Sequence, residues 1–119
     1  MNQPYAIVIE DDPQLSLIYM TALQQAGFDA ALDINGDQYL TLLSAAQPDL
    51  VILDLHLPFA DSAEVLNTIR AKSPKTMIAI VTADFIKAKT FEGKADHILI
   101  KPVSVARLMK IAETIREAK

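Results

Sequence analysis

The sequence predicts an α/β fold, a doubly wound parallel sheet of five strands sandwiched between two helical layers. Three observations predict it. Short apolar runs alternate with stretches of helical periodicity, and the alternation recurs five times along the 119 residues. The clearest runs are apolar at nearly every position, as strands covered on both faces must be. The polar joints are short, so right-handed crossovers bring the strands together in parallel.

Each element has its own signal. Ala6-Ile7-Val8-Ile9 is the first strand, and a weaker run from Asp29 to Leu32 is the second. Leu50-Val51-Ile52-Leu53, Met77-Ile78-Ala79-Ile80-Val81 and Ile98-Leu99-Ile100 supply the other three. The first helix carries Leu15, Ile18, Tyr19, Ala22, Leu23 and Ala26 at helical spacing. Asp12-Pro13 opens it with a cap and a first-turn proline, and Gly27 stands where a terminating glycine belongs. Tyr39, Leu42, Leu43 and Ala46 form a second stripe closed by Pro48, and Val65, Leu66 and Ile69 form a third. Asp84 to Phe91 holds a short, weakly patterned fourth helix. The last stripe is Val105, Leu108, Met109, Ala112 and Ile115, capped by Ser104. All of these stripes read as plain core.

Composition narrows the function. The chain fits one domain, residues 1–119, and its 51% hydrophobic residues suffice for a closed core. Fifteen acidic against eleven basic side chains give a net charge of -4, which argues against direct nucleic-acid binding. Cysteine is absent, so disulfides, thiolate metal sites and cysteine nucleophiles are excluded. The longest apolar run, Met77 to Ala83, is interrupted by a threonine and falls far short of a membrane span. Met1-Asn2-Gln3-Pro4 lacks the basic start and apolar stretch of a signal peptide. The expectation is a soluble, cytoplasmic domain.

In such sheets ligands bind beyond the carboxyl ends of the strands. The first strand ends in Glu10-Asp11-Asp12, the third in Asp54, the fourth in Thr82 and the fifth in Lys101. Singly, each has a bland role as a turn former, helix cap or solvated charge, and Asp12 keeps the role of cap. Jointly they do not. Carboxylates from strands one and three meet in one crevice and repel unless a cation joins them. Oxygen ligands without histidine or cysteine side chains favour Mg²⁺, which takes phosphate readily as a co-ligand. Lys101 and the Thr82 hydroxyl then face the remaining phosphoryl oxygens.

These residues lie within four motifs: Ile9-Glu10-Asp11-Asp12-Pro13, Val51-Ile52-Leu53-Asp54-Leu55-His56-Leu57-Pro58, Val81-Thr82-Ala83 and Ile100-Lys101-Pro102. In that order, on those strand ends, the chain resembles the receiver domain of two-component response regulators, from about Tyr5 to its end. The resemblance implies a flavodoxin-like (βα)5 fold of strand order 2-1-3-4-5, similar to a chemotaxis receiver. It implies that Asp54 is the phospho-acceptor, that Thr82 follows the phosphoryl group and that Lys101 pairs with it. It implies that Asp11 and Asp54 bind Mg²⁺, that Glu10 acts mainly through water and that the His56 backbone carbonyl is a further ligand. It also implies a cis Lys101-Pro102 bond. The expected partners are a histidine kinase or phosphotransfer protein on one side and an attached output domain or downstream protein on the other, with a homodimer left open. Such a domain is a signalling device rather than an enzyme, catalysing only its own phosphorylation and dephosphorylation.

Three positions depart from the family pattern. Ile98 stands where the family usually has an aromatic, and is expected to stay buried. The stretch from Thr82 to Lys101 is short by about one helical turn, which leaves a stunted fourth helix with few apolar anchors. Ser62 stands where the family commonly has glycine. His56 and Asp84, each two residues beyond a site residue, either pair across the mouth of the site or stand as two solvated loop residues. Three other readings fit less well. A degenerate receiver would lack one of the acids, Thr82 or Lys101. An aspartyl-phosphate phosphatase would want a second acid where His56 stands. A flavin-binding module would want a hydroxyl-rich loop where this chain has three acids.

Overall fold

The computed structural model describes residues 3–119. Met1 and Asn2, the start of the segment read for a signal peptide and of the 1–119 domain, lie outside the described residues. The elements alternate: β1 (Tyr5–Ile9), α1 (Pro13–Gln25), β2 (Asp29–Asp33), α2 (Tyr39–Ala45), β3 (Leu50–Asp54), α3 (Ser62–Lys72), β4 (Met77–Thr82), α4 (Phe85–Lys89), β5 (His97–Ile100) and α5 (Val105–Glu117). The five strands form one parallel sheet in the order β2-β1-β3-β4-β5, the order expected.

Two-residue periodicity divides the strand side chains between two cores. Ala6 and Val8, Leu50 and Ile52, Ala79 and Val81, and Leu99 face α1 and α5. Ile7 and Ile9, Val51 and Leu53, and Ile78 and Ile80 face α2, α3 and Phe91 just beyond α4. The three central strands are almost wholly buried, which is why their sequences are continuously apolar. β2 at the edge is only partly covered, which explains its weak signal.

The helix caps follow the sequence. Asp12 accepts from the N–H groups of Gln14 and Leu15, and Ser104 from that of Arg107. Gly27 takes φ 91° just past α1, where a Cβ would also meet the Arg116 guanidinium at 2.6 Å.

Some stripe residues are not core. Ile18 is exposed, because the inner face of α1 runs through Ser16, Tyr19, Ala22 and Leu23, one helical step (about 100°) away. Ser16 takes the inward place by donating its hydroxyl to the Glu10 and Asp12 carbonyls, at 2.9 and 2.7 Å. Ala46 is exposed because the chain turns extended there, ending α2. Val105, the first residue of α5, is exposed as well, and the buried face starts a turn later with Leu108, Ile111 and Ala112. Ile98 is half-buried rather than buried, because the five-residue α4 leaves its outer side uncovered. The segment from Asp84 to Gly93 is better anchored than its pattern promised, since Ala88 and Phe91 are both buried. Among the described residues no helix is long and apolar enough to cross a membrane.

Candidate functional site

The carboxyl ends of β1, β3, β4 and β5 gather Glu10, Asp11, Asp54, Thr82 and Lys101 at one edge of the sheet, because adjacent parallel strands end together. Carboxylate oxygens of Glu10, Asp11 and Asp54 lie within 4.8 Å of one another. Glu10 and Asp54 are buried at the base of the cluster, and Asp11 is exposed at its mouth. The Lys101 ammonium lies 3.0 Å from Glu10 Oε1 and 3.5 Å from Asp54 Oδ2. The Lys101-Pro102 peptide bond is cis.

Charge is crowded here. Burial pushes the Glu10 carboxyl up to about 7, reinforced by Asp54 beside it, while Lys101 and the Asp12 N–H pull the other way. Burial works against the Lys101 ammonium, yet Glu10 and Asp54 together hold its pKa above the ordinary lysine value. The phenol of Tyr19, buried beneath the cluster, is raised by burial and then by the charges of Glu10, Asp54 and Asp12. Neither Glu10 Oε1 nor the Tyr19 hydroxyl has a hydrogen bond of good geometry among the described residues. The three carboxylates of Glu10, Asp11 and Asp54, with the Lys101 ammonium 3.0 Å from Glu10 Oε1, form an all-oxygen donor set that could hold a hard metal ion.

The backbone around Asp54 is tightly held. The His56 N–H donates to Asp54 Oδ1 at 3.2 Å, and the hydroxyl of buried Ser62 donates to the Asp54 carbonyl at 2.9 Å. Ser62, noted as a departure, therefore ties the first turn of α3 to the end of β3, a bond that glycine could not make. Thr82 is buried, and its Oγ1 accepts from the Asp84 N–H at 3.0 Å. His56 Nε2 lies 3.8 Å from Asp84 Oδ2, with both side chains substantially exposed, so the two loop residues do face each other.

Sequence reasoning missed two residues near this edge. Asp33 ends β2 but stands apart from the cluster. Its carboxylate is buried and accepts from the N–H groups of Asn35, Gly36, Asp37 and Gln38 at 2.8 to 3.3 Å, which builds the β2–α2 loop. The Asx-turn signal was its position before Asn35-Gly36. Lys87 in α4 reaches across to donate its ammonium to the Leu55 carbonyl at 3.0 Å. In sequence it is one lysine among several in a polar stretch, with no signal to set it apart.

The family model described as the response regulator receiver domain matches residues 6–113. The chain is 34% identical over 105 residues to the DNA-binding response regulator MtrA of Mycolicibacterium smegmatis, covering 87% of this chain and 46% of that protein. It is 30% identical over 116 residues to the transcriptional regulatory protein BaeR of Escherichia coli, covering 96% of this chain and 48% of BaeR. The chain thus spans about half the length of these curated relatives. Among solved structures, it matches the response regulator TrrA of Thermotoga maritima, in complex with Mg²⁺ and BeF, with a TM-score of 0.82 and 25% identity over 94% of this chain and 98% of that one. A CheY-like receiver domain protein from Methanospirillum hungatei shares the fold, with a TM-score of 0.86 and 20% identity over 98% and 96% of the two chains.

Proposed function

Since the chain belongs to the response regulator receiver family of two-component systems, we propose that Asp54 accepts a phosphoryl group from a histidine kinase or phosphotransfer protein. The observation that carries this reading is the placement of Asp54, with one carboxylate oxygen 3.5 Å from Lys101 and the acids Glu10 and Asp11 within 4.8 Å.

In the reaction an Asp54 oxygen attacks phosphorus in line, and the P–N bond to the donor histidine breaks as the new O–P bond forms. Lys101 neutralises charge on the transferring oxygens, and the Thr82 hydroxyl donates to one of them. The buried floor of the site keeps bulk water from the nucleophile. Glu10, Asp11, Asp54 and the His56 backbone carbonyl would hold Mg²⁺, with Glu10 acting mainly through water. The bound ion supplies charge neutralisation for the phosphoryl oxygens. Reversal of the state is hydrolytic: water attacks phosphorus, phosphate leaves and the Asp54 carboxylate is restored. This self-dephosphorylation and the phosphorylation itself are the only chemistry we assign.

We read residues 1–119 as one cytoplasmic receiver domain. Its modification regulates an output domain or a downstream protein, and a homodimer is compatible with that role. The acidic balance argues that any DNA contact is made by another part of the regulator.

The test is intact-mass spectrometry after incubation with phosphoramidate or acetyl phosphate. One phosphoryl adduct is expected in Mg²⁺ and none in excess chelator or in Asp54→Asn. Equal labelling of Asp54→Asn would overturn the assignment.

A further inference from the structure

Lys87 and Asp54 hold opposite ends of one peptide group. The Lys87 ammonium donates to the Leu55 carbonyl at 3.0 Å, and the N–H of that same peptide unit, on His56, donates to Asp54 Oδ1 at 3.2 Å. The other Asp54 oxygen faces Lys101. We propose that Lys87 is a positioning residue for phosphoryl transfer, acting through the Leu55–His56 peptide to fix the rotation of the Asp54 carboxylate. This rests on the reading of Asp54 as the acceptor.

The physical argument has three steps. First, a peptide group is planar and rotates as a unit, so anchoring its carbonyl fixes where its N–H points. Second, the anchor is charge-assisted, and Lys87 is only partly exposed, so water competes weakly for it. Polarising the carbonyl also strengthens the N–H as a donor to Asp54. Third, attack in line requires one carboxylate oxygen to be presented while the other is held. Small errors of placement in such a geometry are costly in rate.

The same lysine closes a circuit to the opposite wall of the site. Its backbone N–H donates to Asp84 Oδ1 at 2.9 Å, and the Asp84 N–H donates to Thr82 Oγ1 at 3.0 Å. One short helix therefore holds both the peptide that orients Asp54 and the cap that addresses the Thr82 hydroxyl. When Thr82 turns to a phosphoryl group, the strain on this circuit falls on α4 directly, with no part for Ile98.

The test compares Lys87→Met, which keeps the apolar stem and removes the donor, with Lys87→Arg, which restores one. At saturating Mg²⁺, labelling by phosphoramidate is expected to slow about tenfold in Lys87→Met and to return within about threefold of wild type in Lys87→Arg. The apparent Mg²⁺ affinity is expected to stay within about twofold, which separates positioning from loss of metal. A second measurement needs no phosphoryl transfer. Amide exchange at His56, followed by NMR in the unphosphorylated protein, is expected to quicken about fivefold or more in Lys87→Met, with Val51 and Ile52 unaffected. Wild-type labelling by Lys87→Met, failure of Lys87→Arg to rescue, or an unchanged His56 amide would each overturn the proposal. If Asp54→Asn labels as wild type does, the acceptor reading fails instead, and the His56 amide still decides whether Lys87 holds the peptide.

Discussion

The Lys101 ammonium lies closer to Glu10, at 3.0 Å, than to Asp54, at 3.5 Å. The cation proposed to meet the phosphoryl group is thus shared with the buried acid Glu10. Burial and the neighbouring Asp54 nevertheless outweigh Lys101 and push the Glu10 carboxyl up to about 7.

Glu10 should make stability fall as pH rises when no divalent ion is present. Its folded pKa, about 7, lies above the ordinary glutamate value of 4.5. Between those values the folded chain holds a proton that the unfolded chain has released. The contribution is therefore complete below about 4.5 and lost as pH rises through about 7. Glu10→Gln should gain on the order of 1–3 kcal/mol over wild type between pH 4.5 and pH 8. Urea unfolding of both proteins in chelator at the two pH values measures this, and a difference independent of pH would refute it.

Asp11 should dominate metal affinity. It is the exposed member of the three carboxylates, so it pays least to be charged and can reach an ion that keeps its waters. Asp11→Ala is expected to weaken Mg²⁺ binding at least tenfold, on the order expected for loss of a direct carboxylate ligand. It should leave metal-free stability equal or higher, since one repelling charge is gone. NMR titration and thermal melts read the two effects separately.

His56 and Asp84 face each other at 3.8 Å, but both are well exposed. A pair of this kind is worth about 0–1 kcal/mol, so His56→Ala and Asp84→Asn should change the lifetime of the phosphorylated state by less than about fivefold. Asparagine is chosen because Asp84 also caps α4. Decay followed by intact mass checks this. A much larger change in His56→Ala would give the imidazole a direct part in screening water.

Phosphorylation should be read through α4 rather than through Ile98. Hydrogen exchange with and without beryllofluoride is expected to change at residues 84–93 and little at Ile98. Phe91, buried beyond α4, is the anchor of that segment. Phe91→Ala should cost about 3–5 kcal/mol and raise exchange across residues 84–93. Protection confined to the Asp54 loop would point to a partner that senses the phosphoryl group itself.

The clustering of the candidate residues was legible in sequence because they are the first polar ones after uninterrupted apolar strands. Glu10, Asp54, Thr82 and Lys101 needed only strand ends in register to meet. The helices were less legible. Ser16 displaced Ile18 from the inner face of α1 because a polar residue can be buried wherever local carbonyls satisfy it, and periodicity counts only apolar residues. Lys87 was invisible for a related reason. Its acceptor is a backbone carbonyl 32 residues away, and a carbonyl is present in every residue type. Ser62 could be seen as unusual, but its bond to the Asp54 carbonyl required the turn of α3 to be placed.

The loop built around Asp33 also governs the electrical state of the neighbouring cleft. With its oxygens engaged by four backbone N–H groups, this fourth strand-end acid is kept apart from the cluster. With a divalent ion bound, that ion and the Lys101 ammonium would balance ionised Glu10, Asp11 and Asp54. A further free carboxylate there would confront the proposed phosphoryl donor with like charge. By turning Asp33 into a loop fastener, the fold would let an acid-lined pocket receive an anion.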